Sequence, residues 1–434
     1  RNMGVNTYVS HSCLSLEERS AAEEAFSQGD DCVIVATSTL ELGIDVGDLD
    51  RVIQIDAPGT VSSFLQRIGR TGRREGTSRN CLFLATKKAA FLQAAALMQL
   101  WSEGYVEPIE PPPLPLHIFA QQIMGLALQE DGITAADWPA WLGRLPGLSE
   151  IEPDQLNSLI QYMIDTEILH SDQGLLSIGG SGERHFGKKN FMELFSVFLS
   201  PPLVKVFHGK QEIGEVHQTT FIVKEEGPCV LTLGGRSWQI KYIDWPRRKA
   251  YVEPTKLRGR SQWLSSGQPL HFELCQAIVR VLAREDVPVS FSHRATELME
   301  ELREEYDWIE PRKTVLVTYD DGYVVWWTSA GKLVNAAIAA ALDGEAGKVV
   351  SDNLSVGFSG GVDLDSLRQA IVDSVLTETA NLSVLLDEEF IDELKFSECL
   401  PLSVKEAELA ERYDVSRQVK QISGYILSEL SISE

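Results

Sequence analysis

The sequence predicts a multidomain protein of mixed class, α/β at its amino-terminal end and α+β in the remainder. Strands alternate with helices up to about residue 106, which is the pattern of a parallel sheet. The proline-rich stretch EPIEPPPLPL at 107–116 then marks a domain boundary. At 434 residues the chain is also long for a single hydrophobic core, which favours about two to four domains.

The amino-terminal elements can be predicted one by one. VNTYV at 5–9 reads as a strand, and SLEERSAAEEAF as a helix that begins with a capping box of Ser15 and Glu18. DCVIVAT at 31–37 is a continuous apolar run, typical of a strand buried on both faces of a parallel sheet. Two further strands with a helix between them are predicted at RVIQID (51–56), VSSFLQRIGRTG (61–72) and NCLFLAT (80–86).

The predicted secondary structure changes twice in the middle of the chain. Three helical segments beyond Leu116 are followed by HSDQGLLSIGG (170–180), a strand, turn and strand, which is the element order of a winged helix. KKNFMELFSVFLS (188–200) predicts another helix. Short strands with glycine turns at 203–254 then predict a small barrel or curled sheet. TVLVTYDDGYVVWWT (314–328) predicts a hairpin with an Asp-Gly turn, and the rest is mixed α/β.

These transitions predict three domains. The boundaries fall at 1–106, 107–201 and 202–434. Within the third domain, 203–262 is predicted to be barrel-like and 263–434 mixed α/β.

Composition excludes several classes of protein. No run of eighteen apolar residues occurs, so no membrane-spanning segment or membrane partner is expected, and no signal peptide is present. The chain opens on Arg1 rather than methionine, which we take as a hint that an upstream part is missing. The six cysteines form no CxxC pair, which argues against zinc and a disulfide framework and fits the reduced cytoplasm.

Charge is unevenly distributed along the chain. A net charge of −24 argues against nucleic-acid binding over the whole surface. Basic tracks nevertheless occur at 67–88 and 236–260, whereas the acidic residues concentrate after about residue 285. Local nucleic-acid recognition therefore stays possible.

The densest basic segment is SFLQRIGRTGRREG at 63–76. Arg67, Arg70, Arg73 and Arg74 lie within eight positions. Like charges at helical spacing repel by a few tenths of a kcal/mol per pair. A bound polyphosphate would compensate, because the guanidinium group donates two hydrogen bonds to phosphate oxygens.

VIVATSTLELGIDVGDLDRVIQID (33–56) followed by QRIGRTGR (66–73) resembles motifs V and VI of superfamily 2 helicases, which lie in the second RecA-like domain. The resemblance implies that Arg70 and Arg73, three apart on one helix face, are arginine fingers for the γ-phosphate of ATP. It implies that Gln66 contacts the phosphates or the attacking water. The other implied contacts are Gly43, Asp45 and Arg67 to the nucleotide and His11, Ser12, Thr37 and Ser38 to nucleic-acid phosphates. In HSCLS (11–15) Ser12 and Cys13 replace the family's usual residues, and a histidine at a strand end is more often structural.

The ATP cradle of such a motor is missing from these residues. Neither GxxxxGK[ST] nor a DExH/D carboxylate pair occurs, and the strand that opens the second RecA-like domain is missing too. We therefore expect ATP and Mg²⁺ to be held mainly by a first RecA-like domain, either upstream in the chain or on a separate subunit. The 434 residues alone are predicted not to hydrolyse ATP.

Downstream segments narrow the resemblance to the large helicase-related (Lhr) family. They are LPLHIFAQQIMGLAL, KKNFMELFSVF, VFHGKQEIGEV, LTLGGRSWQIKYID and SQWLSSGQPLHFELCQAI. The resemblance implies a partial RecA-like parallel sheet, a winged helix and a β-barrel-containing C-terminal domain. It also implies an ATP-dependent 3′→5′ translocase on single-stranded DNA that unwinds duplexes, including DNA/RNA hybrids, in DNA repair or phage defence.

Two further groups of nucleic-acid contacts follow from this resemblance. Trp263 lies in the basic loop LRGRSQWLSSG, where an exposed indole can stack on a base, and Arg258 and Arg260 would contact phosphates. The alternative is that Trp263 anchors the loop to the barrel. Lys188, Lys189 and Asn190 resemble family residues on the nucleic-acid path, the alternative being an ordinary helix start.

Two rival interpretations stay open beside this one. The chain could be a non-catalytic DNA-binding protein that has lost its motor half, although the intact spacing of Arg70 and Arg73 argues against decay. It could instead belong to another helicase branch with a winged helix. A RecQ-like enzyme would need a four-cysteine zinc module that these cysteines cannot form, and a Ski2-like enzyme would continue with a helical domain where 203–254 is β-rich.

Overall fold

The structure is a computed structural model. It describes residues 5–28, 31–37, 49–73, 75–134, 136–188, 190–197, 203–217, 221, 229–233, 236–257, 269–320, 322–342, 348–359, 363–376 and 394–432. The chain divides into two compact units. Unit 1 comprises 1–107, 200–268 and 286–298, and unit 2 comprises 108–199, 269–285 and 299–434.

The amino-terminal part of unit 1 is built from two pairs of parallel strands. β1 (Asn6–Ser10) pairs with β2 (Cys32–Ala36), and β3 (Val52–Ile55) pairs with β4 (Cys81–Leu84). Three helices accompany them: α1 (Leu16–Gln28), α2 (Val61–Ile68) and α3 (Lys88–Ser102). Strands and helices alternate as predicted.

One expectation about these strands is wrong. The apolar run at 31–37 predicts burial on both faces, but Val33 and Val35 of β2 are exposed, and the alternate residues Cys32 and Ile34 are partly covered. The same alternation holds on β3 and β4. In the described residues α1 contacts β1 and β2, while Phe64 of α2 packs on Phe83 of β4 and on Trp101 of α3, so the alternate side chains of each pair are the ones left exposed.

Unit 2 begins with a helical segment and a small sheet. The helices are α4 (Leu116–Gln129), α5 (Trp138–Leu142), α6 (Pro153–Asp165) and α7 (Gly180–Phe186). The strands β5 (Ile133–Thr134), β6 (Leu169–Asp172) and β7 (Leu175–Ile178) are antiparallel and lie in the order β5-β7-β6. The predicted hairpin at 170–180 is confirmed.

The helix predicted over KKNFMELFSVFLS is wrong. In its place lies a single 3₁₀ turn at Met192–Phe195. Asn190 and Phe191 both have positive φ, at 54° and 58°, a conformation that cannot continue a right-handed helix.

The next segment of the chain forms a five-stranded sheet that belongs to unit 1. Its strands are β8 (Leu203–His208), β9 (Gln211–His217), β10 (Val230–Leu233), β11 (Arg236–Asp244) and β12 (Lys249–Pro254), in the order β10-β11-β12-β8-β9. One face covers a core that includes Val206, Val252 and Trp238, together with Leu14 from the start of the chain. The predicted β-rich region is confirmed: its described strands form one sheet in which β10 and β9 are the end strands.

The remaining elements complete unit 2, apart from part of one helix. They are α8 (Phe272–Leu282), α9 (His293–Glu305), β13 (Lys313–Tyr319), β14 (Val324–Trp327), α10 (Lys332–Ala341), β15 (Lys348–Ser351), β16 (Ser355–Ser359), α11 (Leu364–Ser374), helices at Leu402–Arg412 and Ser416–Ser423, and β17 (Ile426–Ile432). The sheet order is β15-β16-β14-β13-β17, with β13 and β17 parallel. Trp326 and Phe358 are fully buried in its core.

The predicted mixed class, with parallel strands and several domains, is thus confirmed. No helix in the described ranges is long and apolar enough to cross a membrane.

Candidate nucleotide and nucleic-acid interface

Helix α2, which carries Gln66 and Arg67, is held firmly at its start. The Thr60 hydroxyl accepts a hydrogen bond from the Ser63 N–H at 3.1 Å. The Glu107 carboxylate accepts from the first two helical N–H groups, those of Val61 and Ser62, at 2.7 and 2.9 Å. A carboxylate at this end also complements the helix dipole. The buried face of Val61, Phe64 and Ile68 leaves Gln66 exposed on the opposite side.

The arginines lie beyond the helix, which corrects the expectation that Arg70 and Arg73 share a helical face. The helix ends at Ile68 with Gly69 as its C-cap, and residues 70–73 form a turn. The Arg70 N–H donates to the Arg67 carbonyl at 3.1 Å, and Arg73 Nε donates to the Gly69 carbonyl at 2.9 Å. Arg70 is half-buried and Arg73 is exposed. We call residues 69–73 the arginine turn.

The arginine turn is fixed by its backbone. The Leu49 N–H donates to the Arg70 carbonyl at 2.9 Å, and Leu49 forms a parallel bridge with Thr71. The buried Thr71 hydroxyl donates to the Ile68 carbonyl and accepts from the Asn80 N–H. Gly72 has φ of +68°, and a Cβ there would lie 2.6 Å from the Arg79 nitrogen. Only glycine fits this position, so the spacing of Arg70 and Arg73 is set by the main chain.

Arg67 has a partner within its own sheet. Its Nη1 donates to Gln54 Oε1 of β3 at 2.8 Å. Burial raises the pKa of the neighbouring Cys81 thiol to about 11, while the charge of Arg67 acts in the opposite direction. Arg67 thus links α2 to the strand edge in this structure, and its predicted contact with the nucleotide stays a prediction.

The predicted nucleic-acid contacts His11, Ser12 and Thr37 lie at one edge of the first strand pair. His11 and Ser12 follow β1 and Thr37 follows β2, and the Thr37 N–H donates to the Ser10 carbonyl at 3.3 Å. His11 Nδ1 accepts from the Cys13 N–H at 3.0 Å, and burial lowers the pKa of the histidine. The imidazole therefore shapes this turn as a neutral group. Ser12 is exposed.

The remaining predicted residues are divided between described and undescribed parts of the chain. Lys188 is exposed, and Asn190 is exposed with a positive φ, both in unit 2. Seven predicted residues lie outside the described ranges: Ser38, Gly43, Asp45, Lys189, Arg258, Arg260 and Trp263. Arg74 likewise lies outside them.

Two supporting residues were not predicted from the sequence. Glu107 caps α2 from 46 residues away, and Leu49 holds the arginine turn. Leu49 lies within the quoted segment 33–56, where the motif gives it no role, and Glu107 opens the proline-rich stretch at 107–116. A cap from a residue 46 positions away leaves no local signal.

Residues 1–75 match the helicase conserved C-terminal domain family. The chain is 28% identical over 296 residues to the Lhr helicase/uracil glycosylase of Escherichia coli. This match covers 62% of this chain and 18% of that protein. It is 25% identical over 379 residues to the ATP-dependent helicase Lhr-Core of Methanothermobacter thermautotrophicus, covering 78% and 43%.

This chain is a relative of the Lhr helicases. A solved structure of Mycobacterium smegmatis helicase Lhr, bound to ssDNA and AMP-PNP, matches 99% of this chain and 60% of that one with a TM-score of 0.65. At 18% identity the match establishes the shared fold. The resemblance to the C-terminal part of the Lhr family is therefore confirmed. The Lhr relative spans 18% and 43% of the two curated proteins above, less than half of either.

Proposed function

We propose that this Lhr relative is part of an ATP-dependent superfamily 2 helicase that translocates 3′→5′ along single-stranded DNA. In this proposal it supplies the arginine fingers Arg70 and Arg73 and part of the strand-binding surface. The ATP cradle, with its Mg²⁺, belongs to a first RecA-like domain in an upstream part of the chain or a separate subunit. We further propose that it acts in the cytoplasm, in DNA repair or phage defence, with DNA/RNA hybrids among its duplex substrates.

The observation that carries the proposal is the arginine turn. Two guanidinium groups three residues apart follow a helix that is capped by Thr60 and Glu107, on a turn in which only glycine fits at position 72. A finger must reach a developing negative charge without first reorganising, because preorganised charge is what lowers the barrier to phosphoryl transfer. The fixed backbone of this turn suits that role.

The strand-binding part of the proposal rests on two surfaces. In unit 1, Ser12 and Thr37 share the carboxyl edge of β1 and β2, where hydroxyls and main-chain N–H groups suit phosphate oxygens. In unit 2, helices α4–α6 followed by the β6–β7 hairpin have the element order of a winged helix, and we infer that they form one. Lys188 follows this hairpin and helix α7.

The test is ATP hydrolysis by this chain when it is joined to its ATP-binding RecA-like domain. Arg73→Ala and Arg70→Ala are each expected to lower kcat by about a thousandfold or more, the typical effect of removing an arginine finger. Single-stranded DNA binding should change little. Arg79→Ala is the matched control, because Arg79 is an exposed arginine on the same segment beyond Gly72. Its rate should equal that of the parent.

The non-catalytic alternative gives a different result. In that case the joined protein hydrolyses no ATP, with or without Arg70 and Arg73, although the chain still binds DNA. A rate that is lowered equally by Arg79→Ala and by Arg73→Ala would also contradict the finger assignment, because general loss of positive charge would then explain the effect.

A further inference from the structure

The outward face of the β8–β12 sheet carries a row of aromatic rings across three neighbouring strands. Phe207 on β8 lies opposite Tyr251 on β12, and Tyr251 lies opposite Tyr242 on β11. The ring centroids of Phe207 and Tyr251 are 5.9 Å apart. Those of Tyr242 and Tyr251 are 6.2 Å apart, with ring planes 22° from parallel. We call these three residues the aromatic platform.

The platform is not needed to fill a core. The side chains that alternate with it, Val206 and Val252, point to the other face and are buried there with Trp238. Tyr242 is 61% exposed and Tyr251 is 37% exposed. Aligned rings that stay in solvent beside a filled core indicate a surface built for contact.

The charge around the platform differs in sign from that of the chain. Lys249 Nζ lies 5.2 Å from the centroid of the Phe207 ring. The turn between β11 and β12 adds the exposed indole of Trp245 and two arginines. In the described parts of 203–257 the basic residues are Lys205, Lys210, Arg236, Lys241, Arg247, Arg248, Lys249 and Lys256, against the acidic Glu212, Glu215, Asp244 and Glu253. A chain of net charge −24 thus has a basic surface here, complementary to a polyanion.

The platform is joined to the edge that carries Ser12. Lys205 lies opposite Glu215 of β9 in the sheet register, and the Glu215 N–H donates to the Cys13 carbonyl at 2.7 Å. Leu14 also forms an antiparallel bridge with Gly214. The sheet and the turn at 11–14 therefore form one surface of unit 1.

We propose that the aromatic platform binds single-stranded nucleic acid by stacking bases on Tyr242 and Tyr251, with the surrounding lysines and arginines contacting phosphates. This inference rests on the proposed function, since the ligand is the strand along which the motor moves. Aromatic rings stack on every base, so the contact is sequence-tolerant. Because Glu212, Glu215 and Glu253 partly neutralise the surface through ion pairs with Lys205 and Lys241, stacking contributes more to affinity than counterion release does.

The first test is fluorescence anisotropy with a labelled oligothymidylate and the full 434-residue chain at several salt concentrations. Tyr242→Ala with Tyr251→Ala should weaken binding at least about fivefold, the lower bound for losing one stacked base. The slope of log affinity against log salt should not change. Lys249→Gln should lower that slope by about one unit.

The matched control is Tyr242→Phe with Tyr251→Phe, which keeps both rings and removes only the hydroxyls. This variant should bind as tightly as the parent. Equal binding by the alanine pair and the parent would overturn the proposal that the platform stacks bases. It would not affect the test of Arg70 and Arg73 by ATP hydrolysis. The same holds if the phenylalanine pair loses as much affinity as the alanine pair, because hydroxyl contacts would then replace stacking.

The second test needs no variant. An oligonucleotide that carries 5-iodouracil is photocrosslinked to the unmodified chain, and the crosslinked peptides are identified by mass spectrometry. Crosslinks at Tyr242, Tyr251 or Phe207 support the platform. Crosslinks confined to other peptides overturn it, and so does a chain that binds no oligonucleotide. The ATPase of the joined protein then decides separately whether the proposed function stands.

Discussion

Two sheets of this protein have similar apolar sequences but opposite surroundings. In β13 of unit 2 the consecutive residues Val315, Leu316 and Val317 are all buried, so both faces of the strand are covered. In β3 of unit 1, Ile53 and Ile55 are 57% and 64% exposed, while Gln54 between them accepts a hydrogen bond from Arg67 of α2. An apolar strand sequence thus shows that a strand is suited to burial, but not that helices of the same chain cover both its faces.

The contrast has a consequence for function. The sheet of unit 2 has buried side chains on both faces, and its stability depends on their packing. The amino-terminal strands of unit 1 instead place polar and basic groups at their carboxyl edge and in the arginine turn, which stay accessible. Binding residues on accessible turns held by a scaffold are the usual arrangement in α/β proteins.

The largest effect should come from a cavity in the covered sheet. Phe358→Ala removes a fully buried ring of β16 and should lower the free energy of unfolding by about 3–5 kcal/mol. Ile53→Ala on the exposed face of β3 should change it by less than about 0.5 kcal/mol. Urea denaturation followed by tryptophan fluorescence measures both. Equal losses would mean that the face of β3 is covered after all.

A buried polar pair should be nearly as sensitive. Glu408 accepts hydrogen bonds from the main-chain N–H of His117 and pairs with its Nδ1, and both side chains are buried in unit 2. Glu408→Ala should cost about 3 kcal/mol in unfolding free energy, because the buried groups of His117 lose their partner. Glu297→Ala, which breaks the exposed pair with His293, is the control and should leave stability unchanged. A neutral Glu408→Ala would contradict burial of the pair.

A substitution that strains the backbone of the arginine turn should have an effect of intermediate size. Gly72→Ala places a methyl group against the Ser78–Arg79 main chain at positive φ and should destabilise the turn by about 1–3 kcal/mol. Gly76→Ala has a similar φ of +82° but no atom within 4 Å, so it should cost only about 1 kcal/mol. Hydrogen exchange of residues 68–80 measures the difference. Equal exchange in the two variants would remove the argument that Gly72 sets the arginine spacing.

The smallest effect is a difference in thiol reactivity between the units. Burial raises the pKa of Cys275 in α8 to about 12 and that of Cys81 in β4 to about 11. A raised pKa means less thiolate at pH 8, so both should alkylate slowly, with Cys275 the slower because it is buried. The exposed Cys229 should react first. Peptide mapping after iodoacetamide treatment gives the order, and fast labelling of Cys275 would contradict the closed interior of unit 2.

Local patterns predicted much of the fold. The hairpins β6–β7 and β13–β14, helix α1, the parallel strands and the β-rich region follow from periodicity and turn residues. The helix predicted at 188–200 failed because Asn190 and Phe191 adopt positive φ, which no pattern of apolar residues reports. The prediction that Arg70 and Arg73 lie on one helix face is wrong because α2 ends at Ile68, with Gly69 as its C-cap.

The residues of the candidate site likewise fall into those predicted from the sequence and those found only in the structure. Motif order predicted Arg70, Arg73, Gln66, His11 and Thr37 as site residues. The structure places Gln66 on α2, the two arginines just after that helix, and His11 and Thr37 just after β1 and β2. The capping by Glu107, the bridge from Leu49 and the row of Phe207, Tyr251 and Tyr242 required strand register and distant contacts.

The sequence by itself determined which residue types follow each strand and where the chain turns, since propensity and capping act over a few residues. Tertiary structure alone decided which strand faces are covered and which aromatic rings become neighbours. Both depend on pairing between segments far apart in the chain, where one step of register moves every side chain to the other face.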